Sequence, residues 1–249
     1  MKIALLSDIH GNLAALEAVV AHAQKQRVDH IVNLGDSLSG PLLPLETALF
    51  LIAQGWPTLA GNHERQLLTQ APERMGASDA YAHSKLTPVV RDWLTHLPTM
   101  LRWSADVLLC HGTPGSDVAY FLDTVEAGQT RLASLAEVDE RMGVVDGAIT
   151  LIGCGHTHVP RVVRSVGGVL LVNPGSVGLP AYDDLYPTPH VVQTGSPDAR
   201  YALVERQSQG GWVVGLHSVP YDHESMARMA ERNGRLDWAH ALRTGYMPN

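Results

Sequence analysis

Five short segments hold the residues whose types and spacing suit chemistry. They are Asp8-Ile9-His10, Gly35-Asp36, Gly61-Asn62-His63, His111-Gly112 and Gly155-His156-Thr157-His158. Carboxylates, imidazoles and an amide without thiolate suit borderline or hard metal ions. Residues two apart on an extended backbone point the same way. Asp8 and His10 can therefore grip one ion, and His156 and His158 can turn two imidazoles to a common site. Asp8, His10, Asp36, Asn62, His111, His156 and His158 make seven ligands, too many for one tetrahedral site. Two ions sharing one carboxylate would use them all, and such pairs, about 3.5–4 Å apart, serve in-line displacement at phosphorus.

Each segment also has a plainer reading. Asp36 alone suits a turn acid, Asn62 a cap for the helix that follows, and His111 a core histidine. Cys110 and Cys154, beside the ligands, read as buried reduced thiols behaving as small hydrophobes. His22, His30, His83, His96, His217, His223 and His240 receive no role.

The elements that would position these residues follow from patterning. Lys2 to Ser7 and His30 to Leu34 read as buried strands, and a helix runs from Leu13 to about Gln26. Leu45 to Gln54 reads as a helix ended by Gly55. Pro57 to Ala60 reads as a short strand before a helix from Glu64. Ala71 to Ala80 reads as loop and Pro88 to Leu97 as helix. Thr99 to Trp103 and Val107 to Cys110 look like paired strands, and Gln129 to Val138 like a helix. Further strands are expected at 148–152, 161–164, 169–172, 201–206 and 212–218, with 220–249 a helical tail. Each ligand segment follows a predicted strand, where α/β sheets bind ligands. The expectation is one domain over residues 1–249, of α/β class with two sheets.

Composition narrows the partners. The chain has 249 residues, 45% hydrophobic and 17% charged, an ordinary globular balance. Its formal net charge of −7 argues against a basic platform for nucleic acid or anionic membrane. Phosphorylated substrates stay open, because bound metal ions reverse the local sign. Apolar runs fall short of the ~20 residues of a membrane span, and an acid stands at position 8. A cytoplasmic location is expected. The sequence does not bear on oligomeric state.

The ordered series resembles the calcineurin-like metallophosphoesterase superfamily. With Asp8-Ile9-His10-Gly11-Asn12 and Asn173-Pro174-Gly175-Ser176 it looks like the small bacterial phosphodiesterase branch. The resemblance implies a four-layer αββα sandwich of two mixed sheets with the site at one edge. It implies Asp8, His10, Asp36 and His158 around a first ion. Asp36, Asn62, His111 and His156 would surround a second, with Asp36 bridging. The ions would be Mn, Fe or Zn, and a hydroxide shared between them the nucleophile. His63 would be the catalytic acid that protonates the leaving oxygen.

The series departs from the Ser/Thr protein phosphatases of that superfamily. Asp36 is followed by Ser37-Leu38-Ser39-Gly40-Pro41, without their Asp and Arg. On this reading no Asp orients His63 and no Arg grips the phosphate. Asn12, Tyr182 and His190 are candidate substrate contacts, the last two on a long loop over 179–198. The expected activity is a phosphodiesterase acting on small nucleotide-like diesters. A phosphomonoesterase or protein phosphatase-like activity is the alternative. A non-catalytic scaffold, as in the superfamily's retromer subunit, ranks below both.

Overall fold

The computed structural model describes residues 1–248. Its strands are β1 (Lys2–Leu6), β2 (His30–Asn33), β3 (Met100–Ser104), β4 (Val107–Cys110), β5 (Asp123–Glu126), β6 (Gln129–Leu132), β7 (Leu151–Gly153), β8 (Arg161–Arg164), β9 (Leu170–Asn173), β10 (Ala181–Asp184), β11 (His190–Gln193), β12 (Ala199–Arg206) and β13 (Trp212–Val219). Its helices are α1 (Leu13–Lys25), α2 (Pro44–Gln54), α3 (Asn62–Thr69), α4 (Ala77–Lys85), α5 (Pro88–Thr95), α6 (Leu135–Met142), α7 (His223–Arg232) and α8 (Leu236–Thr244). The first main sheet runs β13-β12-β1-β2 and the second β3-β4-β7-β9-β8. Both are mixed: β1 and β2 are parallel while β1 and β12 are antiparallel, and β4, β7 and β9 run parallel.

The period of two in β1 builds the layers. Ile3 and Leu5 face the second sheet, where they meet Val107, Leu109, Leu151 and Val172. Ala4 and Leu6 face outward onto Leu16, Val19 and Val20 of α1. The outer face of the second sheet, with Leu108, Ile152 and Leu171, is covered by Val138 of α6. The result is the expected helix–sheet–sheet–helix sandwich. Each fully buried leucine or isoleucine contributes roughly 1.5–3 kcal/mol. Among the described residues, no helix is long and apolar enough to cross a membrane.

Several local expectations are corrected. The segment at 57–60 is not a strand but a single bridge, Thr58 to Asn33. The loop expected at 71–80 contains a 3₁₀ turn, Pro72–Arg74, and the start of α4. Gln129 to Leu132 is the second strand of a hairpin with β5. The helix there starts only at Leu135, where Ser134 and Glu137 cap it reciprocally. The long loop holds a second hairpin, β10–β11. The C-terminal helices α7 and α8 pack on Leu42, Leu179 and Ala181 beside the site.

Candidate active site

The parallel pairs β1–β2 and β4–β7 bring four strand ends to one edge of the sandwich. Asp8 and His10 follow β1, Asp36 follows β2, His111 follows β4, and His156 and His158 follow β7. Five of these turn back in the left-handed region: φ is 56° at Asp8, 52° at His10, 53° at Asp36, 68° at His156 and 58° at His158. Residues with a Cβ adopt it at a cost on the order of 1–3 kcal/mol each, and only where surroundings enforce it. Backbone bonds do so here: Asp8 N to Gly35 O at 3.0 Å, His10 N to Asp36 O at 3.0 Å and Gly155 N to His111 O at 2.6 Å. Glycine is required at Gly61 and Gly155, where a Cβ would collide with the side chains of Asp36 and Ser7.

The donors fall into two groups, Asp8 with His10 and His158, and Asp36 with His111 and His156. Within each group the ligand atoms lie within 4.8 Å of one another. The groups adjoin: His111 Nε2 is 3.0 Å from Asp36 Oδ2 and 4.0 Å from Asp8 Oδ1. Hydrogen bonds set the tautomers. The Nδ1–H of His10 donates to Ser39 O at 2.7 Å, that of His111 to Leu34 O at 2.9 Å, and that of His158 to Leu179 O at 2.8 Å. In each Nε2 is turned to the site. Asp36 and Asp8 outweigh burial and raise His111 to about 10, so its imidazole must release that proton to take an ion. His156 is reversed: its Nε2 meets Val118 O at 3.1 Å, which leaves Nδ1 as the ligand atom.

Buried atoms without hydrogen-bond partners test whether ions fit. Asp8 Oδ1, Asn62 Oδ1 and His111 Nε2 are such atoms. Orphaned buried polar atoms are costly, and a metal ion satisfies them. Asn62 joins from the first turn of α3. Charge agrees. Burial opposes ionisation of Asp8, yet His158 and His111 overcome it and hold its carboxyl at about 2. Burial lowers His10 to about 3 and His156 to about 4, so both are neutral donors at pH 7. The donor set fits two metal ions.

His63 stands beside these groups, its ring 5.4 Å from that of His10. The expectation that no Asp orients it is overturned. Asp79, buried on α4, places Oδ1 2.8 Å from His63 Nδ1. Burial works against the imidazolium, but Asp36 and Asp79 outweigh it and raise His63 to about 9. Glu64, in the first turn of α3, reaches beyond its own helix. Its buried carboxylate accepts from the backbone N–H of Asp36, Ser37 and Gly61, each at 2.8 Å. It thereby ties the Asp36 turn to α3. Asn173 donates to Gly155 O at 2.7 Å and Thr157 Oγ1 at 3.0 Å, and Ser176 to Asp8 O at 2.7 Å. The Asn-Pro-Gly-Ser segment therefore props two ligand turns.

A cavity of about 960 Å³ opens over the groups, with His10, Asp36, Asn62, His63, His156 and His158 on its wall. Tyr182 lines it, 4.6 Å from the His158 ring. His190 does not. It sits behind Tyr120, accepting that hydroxyl at Nε2 at 2.9 Å while its Nδ1–H donates to Thr188 O. Tyr120 in turn accepts from Tyr182 at 2.7 Å. Asn12 is also off the wall: it caps α1 and donates to Gly178 O and Tyr221 Oη. Sequence reasoning missed Trp238 and Arg235, which the C-terminal helices bring to the cavity.

The model of the calcineurin-like phosphoesterase superfamily domain matches residues 1–196. The chain belongs to this family. It is a metal-dependent phosphoester hydrolase. Similar solved structures include a metallophosphoesterase from Sphaerobacter thermophilus, 22% identical over 99% of each chain with a TM-score of 0.75. A hypothetical protein from Pyrococcus horikoshii OT3 is 17% identical over 99% of each chain, with a TM-score of 0.76. At these identities the likeness concerns the fold. No curated protein sequence matches the chain.

Proposed function

We propose that the chain hydrolyses small phosphodiesters with two metal ions held in the paired ligand groups. The observation that carries this is the meeting, in one cavity, of both groups with a histidine held by its own aspartate. Asp8, His10 and His158 would hold one ion and Asn62, His111 and His156 the other, with Asp36 shared between the two groups. When bound, such ions acidify water for attack and offset charge on the phosphoryl oxygens. His63 donates its proton to the leaving oxygen. Asp79 accepts from its Nδ1, which leaves Nε2 for the ester.

The choice of diester rests on charge. No arginine follows Asp36 to grip a dianionic monoester in bidentate fashion. Of the arginines on the cavity wall, Arg141 and Arg235 are occupied by Asp123 O and Thr124 Oγ1 and by Asp237 and Ser78, and Arg74 stands beyond the end of α3. With Mn²⁺ supplied, bis-p-nitrophenyl phosphate is cleaved with higher kcat/KM than p-nitrophenyl phosphate. A clear monoester preference, measured side by side, overturns the diesterase reading and promotes a phosphomonoesterase.

Asp79 is a positioning residue that acts through His63. Asp79→Ala lowers kcat about 10–100-fold, the range for losing an outer partner of a site histidine. KM and metal content stay at wild-type values. Metal loss matching the loss of rate would show that α4 supports the ligands rather than the acid.

A further inference from the structure

From Asn62 a line of polar side chains leads away from the ligand groups along α3. Gln66 and Gln70 follow at intervals of four, the spacing that keeps side chains on one helix face. Asn62, His63, Gln66 and Gln70 all line the cavity, as does Arg74 in the 3₁₀ turn beyond. At 1.5 Å per residue, α3 spans about 10 Å from Asn62 to its end at Thr69. Two features of this line are unspent. Gln66 Oε1 is buried with no hydrogen-bond partner. The Arg74 guanidinium has no ion pair or hydrogen bond among the described residues, unlike those of Arg141 and Arg235 on the same wall. Of the nearby carboxylates, Asp79 is committed to His63 and Asp237 to Arg235, while Glu73 precedes Arg74 in the turn without an ion pair to it among the described residues. The far end of the track therefore presents an exposed guanidinium with no ion pair among the described residues.

We infer that Arg74 binds a second anionic group of the substrate, beyond the scissile phosphate on the same cavity wall. This rests on the phosphodiesterase reading above and deepens it. The substrate class becomes diesters in which one ester arm carries its own phosphate, with that arm laid along Gln66 and Gln70. An arginine donates to such a phosphate through two parallel N–H groups.

A matched pair of substrates tests it: thymidine 5′-(p-nitrophenyl phosphate) with and without a 3′-phosphate. Both release p-nitrophenolate from the same bond. The wild-type protein, with Mn²⁺, favours the 3′-phosphorylated ester about tenfold in kcat/KM, mainly through KM, as suits one charge-assisted contact. Arg74→Gln brings the ratio close to one. Arg102→Gln, on β3 and paired with Asp146, keeps the wild-type ratio and controls for net charge. A wild-type ratio near one, or a ratio unchanged in Arg74→Gln, overturns the inference. Failure of the wild type to cleave bis-p-nitrophenyl phosphate sinks the diesterase reading and this inference with it. Cleavage of that ester with a ratio near one sinks this inference alone.

Discussion

Asp36→Asn strips the protein of most of its bound metal. The substitution preserves shape and removes one negative charge at the point where the two ligand groups meet. Asp36 Oδ2 lies 3.0 Å from His111 Nε2, and Oδ1 accepts the His63 backbone N–H at 3.0 Å. Its carboxyl is held well below the usual carboxylate range although burial opposes this, chiefly by His111 and His63. A neutral amide cannot balance two dications there. Loss of an outer partner of a ligand typically costs about 10–100-fold in affinity, and loss of a ligand carboxylate costs more. Metal analysis of the purified variant, beside a thermal melt that shows it folded, reads the outcome. Metal content near wild type would remove the two-ion assignment.

His63→Ala gives the opposite pattern. Both ions stay, and turnover falls by the ~10²–10⁴-fold typical of a lost general acid. The geometry separates the two functions. His63 touches the ligand groups through its backbone N–H, which alanine retains, while its imidazole is held by Asp79 and faces the cavity. Single-turnover rates per bound metal, measured with metal content, distinguish the cases. A variant that loses metal while keeping its rate per metal would make His63 a ligand.

The segments whose donors cluster at the site were legible because each is local: a strand, a glycine and a donor within a few residues. Their partners were not. Asp79 stands 16 residues beyond His63, on a helix that opens after Gly76 with no side-chain cap. Nothing in the intervening chain links the two. Nothing in the sequence marks the role of Glu64, because its three backbone donors come from two separate turns, one of them 27–28 residues away. The β5–β6 hairpin turns at Ala127 and Gly128, both with positive φ, 51° and 78°. An Asn-Gly pair would have signalled that turn, whereas Ala-Gly let the following residues pass for a helix. His190 read as a loop histidine open to substrate. The β10–β11 pairing instead folds it inward behind Tyr120.

The placement of β1 also sets an order of assembly. Its antiparallel neighbour is β12, whose residues enter the ribosomal tunnel almost 200 positions after it. The donors themselves span residues 8 to 158 and belong to two different sheets. An emerging chain thus exposes Asp8 and His10 on a strand whose long-range partner does not yet exist. Contacts of such wide separation form slowly, because chain closure precedes any gain from them. On the two-ion proposal, a complete ligand set would exist only after both sheets have closed. The nascent polypeptide would then pass most of its synthesis with an incomplete set of donors.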